Sequence, residues 1–244
     1  MNTHVFLITA KTNLHVGNES GGDFSIIDKA IQRDALTGLP CINSSSLKGA
    51  INEYCSQSPE SGLKDKPEVR KKLFGVDKLK KGNGSQKGEA VFFDAKLLFL
   101  PQQDKDTLYH YVTSEDVIAL MNERVRLFDP TFEFEKPEKF PQNDKNSKAV
   151  KYDKEELDIK SFTDICSDDN LPIIARNVLD NGESKNLWYE QVLPAETVFY
   201  TIIREEGEDL KNALCGGQKL VQIGADATIG YGFCVFECIH TIQE

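Results

Sequence analysis

The chain has 244 residues, 39% of them hydrophobic and 28% charged, with a formal net charge of −10, which allows one sizeable core or one domain with insertions. The excess of acid argues against a free-standing nucleic-acid binder. No apolar run is long enough to span a bilayer, Met1-Asn2-Thr3-His4 lacks a basic region ahead of an apolar core, and six scattered cysteines (Cys41, Cys55, Cys166, Cys215, Cys234, Cys238) read as reduced thiols of a cytoplasmic protein.

In chain order, Val5 to Ala10 is apolar and β-branched and predicts a buried strand. His15 to Asp23 is a loop by composition. Ser46 caps a predicted helix from Leu47 to about Cys55, with Leu47, Ala50, Ile51 and Tyr54 on one face. Pro67 to Phe74 is a second helix, opened by proline and stopped by Gly75. Lys78 to Gly88 reads as an exposed, flexible loop. Ala90 to Leu100 predicts one long strand and Tyr109 to Val112 another. Ser114-Glu115-Asp116 opens an amphipathic helix through about Phe128. Residues 129–170 are charged, with Phe132, Phe134, Phe140 and Phe162 as isolated anchors, and read as a partly mobile insertion. Strands resume at Leu171–Leu179 and Leu187–Ile203, joined through the hairpin signal Asp180-Asn181-Gly182-Glu183. A short helix from Glu208 to about Leu214 precedes strands at Leu220–Ile223 and Gly232–Ile242, which flank a glycine loop over 224–232. Strands with a few helices between them imply an α+β sandwich.

Charge is uneven along the chain. Through residue 52, Lys11, Lys29, Arg33 and Lys48 balance Glu19, Asp23, Asp28 and Asp34, so all the excess acid lies further on. That distribution suits a subunit that meets an anion inside an assembly, and equally suits an ordinary acidic protein.

Several residues carry possible chemistry. Ser44-Ser45-Ser46 before a helix can present hydroxyls and free N–H groups to phosphate, with Lys48 adding a point charge, although serine caps are common. The 224–232 loop lacks a following Gly-Lys-Ser/Thr, which excludes the Walker pattern. Its glycines could let backbone N–H groups approach a ligand or could serve a tight turn. Asp28, beside Ile26 and Ile27, could hold Mg²⁺ or orient an attacking group, or be an ordinary surface charge. Cys234, Cys238 and His240 share a strand face but cannot close a zinc tetrahedron unaided. His15 could touch RNA, transfer a proton, or make a structural hydrogen bond.

Taken together, Leu14-His15-Val16-Gly17, Ile27-Asp28, Ile31-Gln32-Arg33, Thr37-Gly38-Leu39-Pro40 and Ser45-Ser46-Leu47-Lys48-Gly49 resemble the N-terminal signature of the RAMP superfamily of CRISPR proteins. The likeness is to the repeated backbone subunit of type III-B (Cmr) effector complexes. Phe93-Asp94-Ala95-Lys96-Leu97-Leu98, Ala175-Arg176-Asn177, Leu187-Trp188-Tyr189-Glu190 and the loop from Ile223-Gly224 to Tyr231-Gly232 continue it. It spans most of the chain apart from roughly 56–88 and 129–170. Ala225 and Tyr231 depart from the family's usual glycine and arginine.

The resemblance implies a single domain over residues 1–244 with a ferredoxin-like (RRM-like) palm, helical insertions at 56–88 and 129–170, and a β-hairpin thumb at 176–194. It implies copies stacked along a CRISPR guide RNA with other type III subunits, the thumb displacing a base pair, and endoribonuclease cleavage of the target RNA. In that scheme Asp28 is the catalytic residue and holds a loosely bound Mg²⁺ or other divalent cation. His15, Lys29, Arg33, Ser45, Ser46, Lys48, Arg176, Trp188, Gly224, Gly230 and Gly232 contact RNA, and no membrane is involved. A non-cleaving scaffold and a stand-alone guide-processing nuclease are the alternatives.

Overall fold

A computed structural model describes residues 1–17, 27–76, 86–106, 108–140, 148–149, 152, 157–217 and 219–243. The loops read from sequence at 18–23 and 78–85, and much of the 129–170 segment, lie outside the described residues. In order, the strands and helices are β1 (Asn2–Ala10), β2 (Cys41–Ile42), α1 (Ser44–Gln57), α2 (Pro67–Phe74), β3 (Gly75–Val76), β4 (Gln86–Lys87), β5 (Val91–Phe92), β6 (Ala95–Asp104), β7 (Leu108–Val112), α3 (Glu115–Arg126), β8 (Lys139–Phe140), β9 (Lys148–Ala149), α4 (Ile159–Ile165), β10 (Ile173–Asp180), β11 (Glu183–Gln191), β12 (Val198–Glu205), α5 (Asp209–Leu214), β13 (Val221–Gln222) and β14 (Phe233–Ile242).

The central sheet runs β13-β14-β1-β12-β6-β2, with antiparallel neighbours, β5 on β12 and β7 on β6. Its four long strands, in the order β14-β1-β12-β6, with α1 after the first in sequence and α5 after the third, form the split βαβ arrangement of a ferredoxin-like palm. β1 sits between two partners and is buried from Thr3 to Ala10, which is why Val5–Ile8 at its centre form a continuous apolar run rather than alternating. The buried faces of α1 (Leu47, Ile51, Tyr54, Cys55), α3 (Val117, Met121, Val125) and α5 (Leu210, Ala213, Leu214) belong to the same core. The fully buried Glu205 carboxylate accepts from the N–H groups of Leu210 (2.8 Å) and Lys211 (3.0 Å), so it caps α5, whose own N-cap residue makes no such bond. No helix among the described residues is long and apolar enough to cross a membrane.

Three sequence expectations need correction. The helix predicted from Leu47 begins at Ser44 with Asn43 as N-cap, and the Ser44 N–H is taken by Asp94 Oδ1 at 2.8 Å. The strand predicted over Ala90–Leu100 is broken at Phe93-Asp94, where the Asp94 side chain turns to that helix start and to Lys96. The strand predicted over Leu187–Ile203 is two strands, because Pro194 and the left-handed Glu196 (φ 70°) interrupt it. By contrast α2 has the predicted ends, and Ser114 accepts from Asp116 N at 3.3 Å as the cap of α3.

β10 and β11 pair only with each other, and Asn181 (φ 51°) and Gly182 (φ 86°) supply the two left-handed positions of their turn. This hairpin starts at Ile173 and ends at Gln191, shifted toward the N-terminus relative to the 176–194 expected for the thumb. The turn Asp34–Gly38 is pinned by the Asp34 carboxylate, which accepts from Leu36 N, Thr37 N and Lys96. In the glycine loop, Gly224 (φ 88°) packs so closely that an added Cβ would lie 2.2 Å from His15 O, whereas Gly230 (φ 85°) faces open space.

Burial pushes the Asp34 carboxyl up, but bonds from Lys96 and Thr37 outweigh it and hold it at about 2. Its folded value is depressed, so its stabilisation is present above pH 3.8 and is lost as pH falls toward 2. Asp34→Asn should cost about 1–3 kcal/mol at neutral pH and flatten that acid limb, read by urea unfolding across pH. Gly230→Ala should cost about 1–2 kcal/mol from its backbone angle alone, and Gly224→Ala clearly more, because its methyl has nowhere to go.

Candidate functional site

The segment from Ile27 to Gln32 lies across the base of the hairpin. Ile27 and Ile31 are buried and fix it to the core, leaving Asp28 and Lys29 exposed between them. The Asp28 and Lys29 N–H groups both donate to Tyr189 O (3.0 and 3.1 Å), and Gln191 N donates to Lys29 O (3.0 Å). Asp28 Oδ2 accepts from Tyr189 N at 2.7 Å, while Oδ1 has no partner among the described residues. The acid is thus locked by one oxygen and its own backbone, with the other oxygen free. Lys29 Nζ stands 5.1 Å from the Trp188 ring centroid, a cation–π pair. The Trp188 indole N–H has no acceptor among the described residues.

Behind this surface is a buried charged network. His15, 2% exposed, places Nδ1 2.7 Å from Gln191 O and Nε2 3.3 Å from Glu190 Oε1. A carbonyl only accepts, so Nδ1 is the donor. Arg176 donates through Nε to Glu190 Oε2 at 3.2 Å, lies 3.6 Å from Asp226, and stacks on Tyr231 at 4.8 Å. The N–H of Ala225 returns to His15 O at 2.9 Å. His15 and Arg176, expected to touch RNA, are therefore internal groups that join the hairpin base to the glycine loop. The fully buried Glu190 carboxylate takes its hydrogen bond from Arg176, with the His15 ring beside its other oxygen.

Arg33 is also engaged. Its guanidinium donates to Asp168 Oδ1 (3.1 and 2.6 Å) and to Gly38 O (2.9 Å), so this expected phosphate contact faces protein. Burial raises the Asp168 carboxyl, but bonds from Gln191 and Arg33 bring it below the usual carboxylate range.

The serine run divides. Ser46 Oγ accepts from Gln32 Nε2 (3.1 Å), which also donates to Gly17 O (3.2 Å), and Gln32 Oε1 accepts from Asn43 N (2.8 Å). Gln32 thereby ties the helix start to the Leu14–Gly17 segment, whose His15 O meets the glycine loop. Ser45 and Lys48 line a different cleft of about 690 Å³ with Met1, Lys87, Glu89 and Glu206. That cleft has no glycine-loop residue in its lining. Within the loop, Gly224 is committed to close packing, Gly232 donates its N–H to Asn13 O (2.9 Å), and Gly230 is the glycine left open.

A divalent cation has one carboxylate to meet here. Among the described residues no three His, Cys, Asp or Glu side chains converge to hold a metal ion. That donor set makes no protein cage, but it fits an ion that keeps its waters and takes its remaining ligands from RNA, a common Mg²⁺ arrangement. Cys234 and His240 are otherwise occupied, with Gly232 O and Asp129 respectively.

Sequence reasoning missed Tyr189, Gln191, Asp168 and Asp226. Tyr189 contributes only its backbone, which no side-chain pattern reveals. Gln191 offered a signal: it follows Glu190 at a strand end, and two buried polar residues in succession need partners.

A family model described as the RAMP superfamily matches residues 7–235. The CRISPR system Cmr endoribonuclease Cmr4 of Pyrococcus furiosus is 28% identical over 277 residues, covering 91% of this chain and 90% of that protein. Among solved structures, a chain of the type III-B Cmr-beta complex in its apo state matches with a TM-score of 0.71 at 22% identity, over 97% of both chains. Oligomeric Cmr4 from Pyrococcus furiosus matches with a TM-score of 0.65 at 20% identity, over 98% of this chain and 100% of that one. By the extent of the family match and the ferredoxin-like order of its long strands, the chain belongs to the RAMP superfamily.

Proposed function

We propose that this chain is the guide-RNA-binding backbone subunit of a type III CRISPR effector and cleaves the complementary target RNA at regular intervals. The observation that carries this reading is the single exposed carboxylate of Asp28, held by Tyr189 at the root of a protruding hairpin and flanked by Lys29 on Trp188. The relationship to an endoribonuclease of the Cmr system supports it, as does the likeness to a Cmr-beta complex bound to cognate target RNA (TM-score 0.68, 23% identity, 96% of both chains). Its partners are then a guide RNA, a target RNA, further copies of itself and other effector subunits. Sequence selection belongs to base pairing, and the protein reads backbone and shape.

The chemistry follows from where the acid stands. A hairpin such as β10–β11 inserted into the guide–target duplex displaces a nucleotide, which frees its 2′-hydroxyl to align with the adjacent phosphorus. The 2′-oxygen attacks, the bond from phosphorus to the 5′-oxygen breaks, the departing 5′-oxygen takes a proton from water, and the products are a 2′,3′-cyclic phosphate and a 5′-hydroxyl. Asp28 Oδ1, the unengaged oxygen, takes the 2′ proton directly or through water. A divalent cation held there would neutralise charge developing on the phosphate. The exposed Lys29, held against the Trp188 ring, meets the phosphate backbone next to Asp28, with Lys48 and Ser45 as a second contact in their own cleft. A non-cleaving scaffold is the second reading, because an aspartate bonded to Tyr189 N also has a structural use.

Asp28→Asn in an assembled, guide-loaded complex should lower target cleavage by about 10²–10⁴-fold, with guide content and target affinity unchanged. Unchanged cleavage would establish the scaffold reading instead. Lys29→Ala and Lys48→Ala should each lower the salt dependence of RNA binding by about one unit. Arg33→Ala and Arg176→Ala should change that slope less, since carboxylates already neutralise both; titrations at several salt concentrations compare the four.

A further inference from the structure

We propose that Asp168 is a positioning residue for the Asp28 site, acting through the side-chain amide of Gln191. The proposal rests on the reading of Asp28 as the cleavage acid.

Gln191 is fully buried at the end of the hairpin and holds the segment carrying Asp28 at two points. Its N–H donates to Lys29 O at 3.0 Å, and its Oε1 accepts from Ile31 N at 3.3 Å. The second bond depends on which way the amide faces. A primary amide is nearly symmetric in shape but has an acceptor at one end and donors at the other. Asp168 Oδ1 lies 3.0 Å from Gln191 Nε2 and only accepts. Turning the amide over would set Oε1 against a carboxylate and the NH₂ against the Ile31 N–H, two repulsive contacts in place of two bonds. Asp168 therefore selects the orientation that grips Ile31.

Asp168 is itself held in place. Two Arg33 donors reach its Oδ1, and Arg33 is anchored in turn on Gly38 O. The turn that carries Asp168 is fixed by the buried Phe162, Cys166 and Leu171 around it, and by the N–H groups of Asn170 and Leu171 on Ser167 O. A carboxylate from the segment that reads as an insertion in sequence thus sets the backbone under Asp28 without touching Asp28.

The test compares Asp168→Ala and Asp168→Glu in the guide-loaded complex and in the isolated chain. With Asp168→Ala, target cleavage at saturating target should slow about 10- to 100-fold, the cost of a misplaced catalytic group, while target affinity stays at the parent value. Amide hydrogen exchange at Ile31 and Tyr189 of the isolated chain should quicken. Asp168→Glu, which keeps an acceptor, should recover most of the rate and the slow exchange. Should the alanine chain not fold, Asp168→Ser carries the same expectations. Parent-like cleavage and exchange in Asp168→Ala would overturn the proposal, as would target affinity falling in step with cleavage, or a glutamate variant as impaired as alanine. If Asp28→Asn leaves cleavage intact, the cleavage reading fails by itself, and the exchange at Ile31 still decides whether Asp168 orders the segment.

Discussion

The placement of Asp28 depends on four backbone and side-chain bonds across the root of the hairpin. The N–H groups of Asp28 and Lys29 meet Tyr189 O, Tyr189 N meets the Asp28 carboxylate, and Gln191 N meets Lys29 O. A two-stranded hairpin has no further strand to define its direction, and such ribbons are marginal alone. Here the 27–32 segment acts as a short cross-brace. It fixes the hairpin to the palm and, by the same contacts, sets an acid at the junction. Hairpin direction and acid position are therefore one constraint.

Beneath the brace, Glu190, Arg176 and Asp226 form a chain of charged groups between the hairpin and the glycine loop, with the His15 ring beside the Glu190 carboxylate. The fully buried Glu190 charge would be costly without the Arg176 guanidinium bonded to it. The network joins the hairpin to the loop. Arg33 and Asp168 carry such pairing to the surface. Of the N-terminal cations, Arg33 is committed to Asp168 and Gly38, whereas Lys29 stands over Trp188 and Lys48 lines a cleft.

Much of the palm was legible because its strands and helices carry local signals. The apolar run at Val5–Ala10, the proline and glycine around α2, the cap at Ser114 and the Asn181-Gly182 turn each specify structure within a few residues, and the structure follows them. The misread boundaries share a cause in long-range contacts. Asp94 breaks a strand because it caps a helix start fifty residues earlier, a partnership that no local window contains. The site was legible as a set of residue types and much less as a set of roles. Lys29, Trp188 and Asp28 lie together, whereas His15 and Arg176 meet the buried Glu190 and Arg33 meets Asp168, partners that no local window around those residues contains.

The central sheet ends, at β2 and β13, in strands of two residues each, and the longer β7 is bridged along its flank at Tyr111 by Tyr152. Unsatisfied ladder groups at a sheet margin invite pairing with another molecule, and truncated margins suppress it. A sheet finished in this way offers a neighbour little main chain to zip onto, which leaves the two-stranded β10–β11 hairpin as the longer open margin of the described residues.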